Sequence, residues 1–150
     1  MSSLINVKTI VETILQSVKL GVLATEQNGQ PHTSLIAITP SGDFRQLIFG
    51  TYRNTLKYQN FKQNDKVAVL LNGIDTINCS GAVLTAIGTA EEIIIPKKEQ
   101  YLNEHIARHP ELGDFLKSLD CALVCITVKA YQVVRGINDI LWWSIEEPSN

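Results

Sequence analysis

Neither sign of charge is in excess in this chain of 150 residues: 13 Lys and Arg against 15 Asp and Glu leave a formal net charge of -2. That balance excludes bulk attraction to nucleic acid or an anionic membrane surface as the basis of function, so any anion site has to be local. Cysteine is scarce, with only Cys79, Cys121 and Cys125. An odd number without zinc-ribbon or C-x-x-C spacing argues against a disulfide framework, a structural zinc and a redox pair. The thiols are expected to be reduced and buried, Cys121 and Cys125 on one face of a strand. No apolar run approaches the length of a membrane span, and "MSSLINVKTIVETILQ" has neither the basic flank nor the cleavage site of a leader. A cytoplasmic protein without nucleic-acid or membrane partners is the expectation. Repeats, low-complexity tracts, βαβ alternation, the G-x-x-x-x-G-K-[ST] loop and an assignable Ser/His/Asp or Cys/His set are also missing.

What remains reads as one domain over residues 1–150, long enough to bury roughly 70% of its unfolded surface. "SLINVKTIVETILQSVK" spaces Ile10, Val11, Ile14, Leu15 and Val18 by three and four, the stripe of an amphipathic helix. Two β-rich runs then flank Asn28-Gly29, a strong hairpin signal, and a turn at Pro40–Asp43 leads into "QLIFGT". Three successive antiparallel strands are expected there. Further strands are expected in "KVAVLLN", from Asn78 to Ile95 with bends at Gly81 and Gly88, in "CALVCITVKAYQVVRG" and in "DILWWSI". Pro96 opens one or two helices broken near Pro110. Six or seven antiparallel strands with two to four helices favour a mainly β fold, a small barrel over a doubly wound sheet.

The stretch "GTYRNTLKYQN", Gly50–Asn60, carries the chemistry. Gly50 permits a sharp turn, Asn54 or Thr55 can cap a helix, and Leu56 and Phe61 can face inward with Lys57, Gln59, Lys62 and Gln63 outward. Arg53 and Lys57 are cations at a helix start, where the dipole disfavours them by ~0.3–1 kcal/mol without a negative partner. With the hydroxyls of Thr51 and Thr55 and the free N–H groups of the first turn, they suit a phosphate. Judged on local chemistry alone, two solvated cations and an ordinary cap are the stronger reading.

The residues from Leu20 to about Ile93 resemble the pyridoxamine 5'-phosphate oxidase-like, FMN-binding split barrels. The resemblance rests on "LGVLATEQNGQPHTSLIAI", "LIFGTYRNTLKYQNFKQNDKVAVLL" and "AIGTAEEI", with Asp65 in place of the usual Pro. It implies a split β-barrel in which Thr51, Arg53, Asn54, Thr55 and Lys57 surround the FMN phosphate. Ser34, Leu35 and Ile36 would run beside the flavin ring and ribityl chain. It further implies a homodimer with the cofactor at the subunit interface, completed by an aromatic residue near the other chain's C-terminus. Of Trp142 and Trp143, which face opposite sides of a strand, Trp142 is the preferred candidate. Related barrels use a deazaflavin, which the same cradle would suit.

Three departures separate the chain from authentic pyridoxamine phosphate oxidases: Leu56 where they carry Arg, Val83 where they carry Gln, and an end, "SIEEPSN", without their Arg-rich substrate site. The resemblance therefore implies an FMN-dependent oxidoreductase of unknown small-molecule substrate. A flavin electron carrier or redox sensor without turnover, and a cofactor-free interaction module, stand as alternatives. His32 lies beside the flavin segment and can touch cofactor or simply be exposed. His105 and His109 are four apart on a helix, a metal-compatible spacing, but no third ligand accompanies them, and Glu104 and Arg108 suggest a solvated face. No metal is expected, and no histidine follows His109 to serve as a C-terminal haem ligand.

Overall fold

The computed structural model describes residues 3–74, 81–94 and 96–145. Helix α1 (Ser3–Ser17) buries Val7, Val11, Ile14 and Leu15, the stripe its spacing predicts. It has no basic residue in its own last turn. Arg108 supplies one from far along the chain, its guanidinium donating to the carbonyl oxygens of Leu15 at 2.8 Å and Ile38 at 3.1 Å. A cation at a helix carboxyl end meets both the dipole and the orphan carbonyls.

Strands β1 (Leu20–Gln27) and β2 (Gln30–Ala37) form the expected hairpin. Asn28 and Gly29 both take positive φ, 54° and 84°, the geometry of a two-residue type I′ turn. The chain continues through β3 (Thr39–Pro40), β4 (Gln46–Tyr52), α2 (Leu56–Gln63), β5 (Lys66–Asn72) and β6 (Ala82–Glu92). It ends with α3 (Lys98–Arg108), a 3-10 turn at Pro110–Leu112, α4 (Gly113–Lys117), β7 (Cys121–Arg135) and β8 (Asp139–Ser144). The helical break at Pro110 is where the sequence indicates it. All pairings are antiparallel, in the order β2-β1-β5-β6-β7-β4-β3 with β8 also on β7. This curled sheet, with β2 and β3 as its unjoined ends, is the expected mainly β split-barrel class.

Four local expectations need correction. The three-strand succession stops after β2, because β4 pairs with β7 over seven residues, Gln46–Tyr52 against Cys121–Thr127. The reason is burial on both faces: Leu47 and Phe49 enter the main core, while Ile48 enters a second one with Cys121, Leu123, Cys125 and Leu116. A strand apolar on both sides belongs inside a layered structure, and α3 and α4 cover its second side. Gly50 makes no turn; it lies within β4, where a Cβ would collide with the Leu116 side chain. Leu56 is 48% exposed, while Lys57 is half-buried and shares its helical face with the buried Phe61. The strand expected from Asn78 to Ile95 is Ala82–Glu92, led in by Gly81 at φ 73°; residues 75–80 and 95 lie outside the described residues.

Gly88 does mark a bend. The β6–β7 register slips between Ile87 and Gly88, leaving Lys129 unpaired as a bulge, and a Cβ on Gly88 would strike the Thr127 carbonyl. Cys121 and Cys125 are both buried on one face of β7, and burial raises the Cys125 thiol to about 11. Cys79 lies outside the described residues.

Candidate functional site

β4 ends at Tyr52, and the chain turns through Arg53 and Asn54 into Thr55, whose extended backbone caps α2. The Thr55 hydroxyl accepts from the Tyr58 N–H at a loose 3.4 Å and donates to the Tyr52 carbonyl at 2.8 Å. Thr51 Oγ1 lies 2.9 Å from Thr55 Oγ1, so the two hydroxyls form one cluster at the helix start. Beside them, Leu35, Ile36, Thr51, Thr55 and Lys57 line a single open cleft of about 250 Å³, shared with Tyr52, Phe115 and His105. Five of the residues implied by the resemblance thus come together.

Lys57 forms no ion pair among the described residues. Its partial burial lowers its pKa, because desolvation disfavours the charged form. Lys57 thus lines the same cleft as the two hydroxyls at the start of α2, a combination of groups with the chemistry that anions favour. The apolar wall comes from Leu35 and Ile36 on β2. That strand is the end of the sheet order, so its second edge has N–H and C=O groups without a strand partner among the described residues.

Arg53 and Asn54 take another position. They line an adjoining depression with Tyr52, Ser118 and Asp120. The Arg53 guanidinium pairs with Glu92 at 2.6 Å and donates to the Leu119 carbonyl at 2.8 Å. Tyr58 donates its hydroxyl to the same carboxylate at 2.7 Å. The bond from Arg53 foremost, with that from Tyr58, holds the Glu92 carboxyl below its ordinary range, and the bond to Glu92 in turn pushes the Tyr58 phenol up. The negative partner that the spacing requires for Arg53 is therefore within the chain.

Ser34 is not among the residues lining the cleft; its hydroxyl is buried without a partner, on the β2 face that packs toward α2. His32 likewise has a buried, unpartnered Nδ1 and borders a separate groove beside Leu56 and Asn60. Trp142 is half-exposed on the outer face of β8, away from the cleft lining, while Trp143 stacks on Tyr131 at 5.6 Å.

The largest surprise is α3. His105 and His109 are not on a solvated face: they are 0% and 1% exposed. His105 Nδ1 lies 2.6 Å from Thr39 Oγ1 and His109 Nε2 2.8 Å from the Ile38 carbonyl, with the rings 4.9 Å apart. Burial, reinforced by His109 and Arg108, lowers the His105 pKa to about 4. The overlooked signal was the stripe Leu102, His105, Ile106, His109, which repeats at three and four. Among the described residues no group of three or more His, Cys, Asp or Glu is arranged to hold a metal, and no helix is long and apolar enough to cross a membrane.

Comparison with known proteins places these features in context. Residues 8–132 match the family of pyridoxamine 5'-phosphate oxidase. Nothing among curated proteins matches. Solved structures with the same fold include a protein of unknown function from Agrobacterium tumefaciens, 21% identical with a TM-score of 0.77 over 88% of this chain and 57% of that one. A heme-binding protein from Mycobacterium smegmatis is 16% identical, TM-score 0.78, over 90% of this chain and 56% of that one. An FAD-binding protein from Mesorhizobium loti is also 16% identical, TM-score 0.66, over 87% and 92%. This chain thus spans little more than half the length of the first two.

Proposed function

The chain belongs to the pyridoxamine 5'-phosphate oxidase family, and from that premise and the geometry of its cleft we propose that it is an FMN-binding flavoprotein, an oxidoreductase acting on a small molecule. The observation that carries the reading is Lys57: a half-buried cation without an acidic partner among the described residues, lining one cleft with the Thr51 and Thr55 hydroxyls at the start of α2. Lys57, Thr51 and Thr55 hold the phosphate; Arg53 and Asn54 stand at its outer side. The unpaired edge of β2 at Ser34, Leu35 and Ile36 meets the polar rim of the ring, while the Leu35 and Ile36 side chains exclude water from it. Bound flavin supplies hydride acceptance and release, and the protein supplies orientation and electrostatics. A deazaflavin with the same phosphate tail suits the same cradle. Leu56 and Val83, standing where the resemblance calls for Arg and Gln, support a substrate other than pyridoxamine phosphate.

Haem has less support, although two proteins of this fold are named for it, a heme-binding protein from Mycobacterium smegmatis and a heme storage protein from Vibrio cholerae. An iron needs an axial ligand, and the histidine bordering the cleft, His105, is fully enclosed.

The proposed assembly is a homodimer joined through the outer face of the sheet. The cross-strand row Leu35, Val22, Leu70, Thr85, Gln132, Trp142 contains no charge, and neither does the neighbouring row Thr33, Ala24, Ala68, Ile87, Ala130, Ser144. Leu35, Leu70, Ile87 and Trp142 are each more than a third exposed in the single chain. An apolar face of this extent calls for cover. Because Leu35 belongs both to this face and to the cleft, a second copy would complete the site, with its Trp142 as the closing aromatic.

Titration of the purified protein with FMN, read by quenching of flavin fluorescence, tests the cofactor. Saturable tight binding by a species of twice the chain mass is expected; a colourless monomer that leaves FMN fluorescent overturns the reading. Anaerobic bleaching by NADH or NADPH, followed by turnover with candidate acceptors, separates an oxidoreductase from a flavin carrier.

A further inference from the structure

The residues from Thr51 to Lys57 border two spaces, and the site described above uses one. Thr51, Thr55 and Lys57 line the cleft with Leu35 and Ile36. Arg53 and Asn54 line the adjoining depression with Ser118 and Asp120, and Tyr52 belongs to both. The depression is the larger, about 450 Å³ against about 250 Å³. It is also braced. The Arg53 N–H donates to the Asp120 carbonyl at 3.1 Å and the Arg53 guanidinium to the Leu119 carbonyl at 2.8 Å, which ties the turn before α2 to the segment before β7.

The chemistry of the depression differs from that of the cleft. Arg53, the cation lining it, is already matched by Glu92. Asp120 adds an exposed carboxylate, Asn54 an exposed amide, and Ser118 a hydroxyl that accepts from the Asp120 N–H at 3.4 Å. Tyr52, 41% exposed, is held edge-to-face by Phe115 at 4.8 Å. A carboxylate and an amide beside a neutralised arginine suit a neutral group rich in hydroxyls better than a free anion, and an aromatic ring at the margin suits a flat base. Position limits what that group belongs to. Leu35 and Ile36, at the ring end, line the cleft and not the depression, whereas Asn54 follows directly on from the phosphate end, its Cα about 3.8 Å from that of Thr55. The depression therefore lies on the side away from the ring, where it meets the tail of a ligand and not a reacting substrate.

We propose that the depression binds the adenosine half of a flavin dinucleotide, with Asp120 and Ser118 holding the ribose hydroxyls and Tyr52 against the adenine. The proposal rests on the flavin reading above: the mononucleotide unit and its phosphate stay as assigned and become one half of FAD. The second phosphate passes the Asn54 amide at the boundary between the two spaces. A carboxylate accepts hydrogen bonds from the hydroxyls of a ribose, groups that FMN, ending at its phosphate, does not bring to this place.

The test measures FMN and FAD affinities by calorimetric titration in the parent, D120A and S118A, each checked for folding by circular dichroism. FAD is expected to bind the parent about tenfold more tightly than FMN, the gain from one charge-assisted hydrogen bond. D120A is expected to lose that gain, FAD falling to the level of FMN, while FMN affinity stays within about twofold of the parent. S118A, which removes a neutral partner, is expected to cost FAD about threefold and FMN nothing measurable. Where one variant does not fold, the other and the preference of the parent decide. Parent affinities that are equal, or that favour FMN, overturn the proposal while leaving the flavin reading standing, and so does a preference for FAD that the folded variants keep. Failure of the parent to bind either flavin overturns both.

Discussion

Arg53 and Lys57 are four residues apart in one turn of chain, yet they live in different electrostatic worlds. Arg53 is closed: its guanidinium is matched by Glu92, which also receives the Tyr58 hydroxyl. Lys57 is open, half-buried and without an ion pair among the described residues. The difference teaches that a cation's role depends less on its position in the motif than on whether the fold has already neutralised it. A pre-paired cation has little attraction left for a ligand, whereas an unpaired one in a partly desolvated cleft retains most of it.

The comparison breaks most readily at Lys57. Replacing it with Ala is expected to weaken FMN binding by about 1.5–3 kcal/mol, the range for hydrogen bonds to charged groups. The thermal midpoint of the ligand-free protein should scarcely move, since no native ion pair is lost. Calorimetric titration beside a melting curve checks both halves. Arg53→Ala should show the reverse balance. About 1 kcal/mol of stability is lost, as for a partly exposed ion pair, read from urea unfolding, with FMN affinity changing by less than in the Lys57 variant. Equal affinity losses in the two would erase the distinction. Tyr58→Phe sharpens it from the acid's side, costing about 0.5–1.5 kcal/mol for one hydrogen bond and leaving Lys57 untouched.

The smallest effect is the Glu92 share of the loss in acid. Glu92 has a folded pKa below its unfolded value, so its contribution is complete above about pH 5 and is lost as pH falls through the folded pKa. Unfolding free energies measured between pH 6 and 3 should therefore decline more steeply in the parent than in Glu92→Gln, by no more than ~1 kcal/mol. His105 adds a loss of its own: its folded pKa of about 4 lies below the ordinary 6.5. The unfolded chain binds the extra proton, so that stability is whole above pH 6.5 and drains away toward pH 4. Comparison within a His105→Gln background isolates the Glu92 share.

Those contrasts follow how the sequence could and could not be read. Local chemistry was legible: Asn28-Gly29 takes the two positive φ values of its turn, α1 buries its periodic stripe, and Thr55 caps α2. The break at Pro110 and the shared face of Cys121 and Cys125 were equally plain. Distant pairings were not. Glu92 is 39 positions from Arg53, and nothing in the spacing "GTYRNTLK" marks the one as the other's partner. β4 could be recognised as a strand but not as the neighbour of β7, because an apolar run states that it is buried and not against what. His105 was misread through its neighbours: Glu104 and Arg108 lie beside it in sequence, but a helix turns about 100° per residue, and Arg108 itself folds back onto α1. Of the cleft, the end at Thr51, Thr55 and Lys57 was visible because it is one continuous segment. The side contributed by His105, Leu112 and Phe115 was not, because it comes from a helical segment far along the chain.

The unpaired edge of β2 has a cost in the cell as well as a use. A row of backbone N–H and C=O groups without a strand partner among the described residues, next to Leu35, 67% exposed, is a template on which another extended chain can add itself. Pro31 near one end of the strand blunts part of that row, since it has no N–H to offer. Nothing comparable protects Ser34–Ala37. Under the proposed function, a ligand seated along that edge would mask the template, so occupancy of the cleft is expected to raise solubility as well as to serve chemistry.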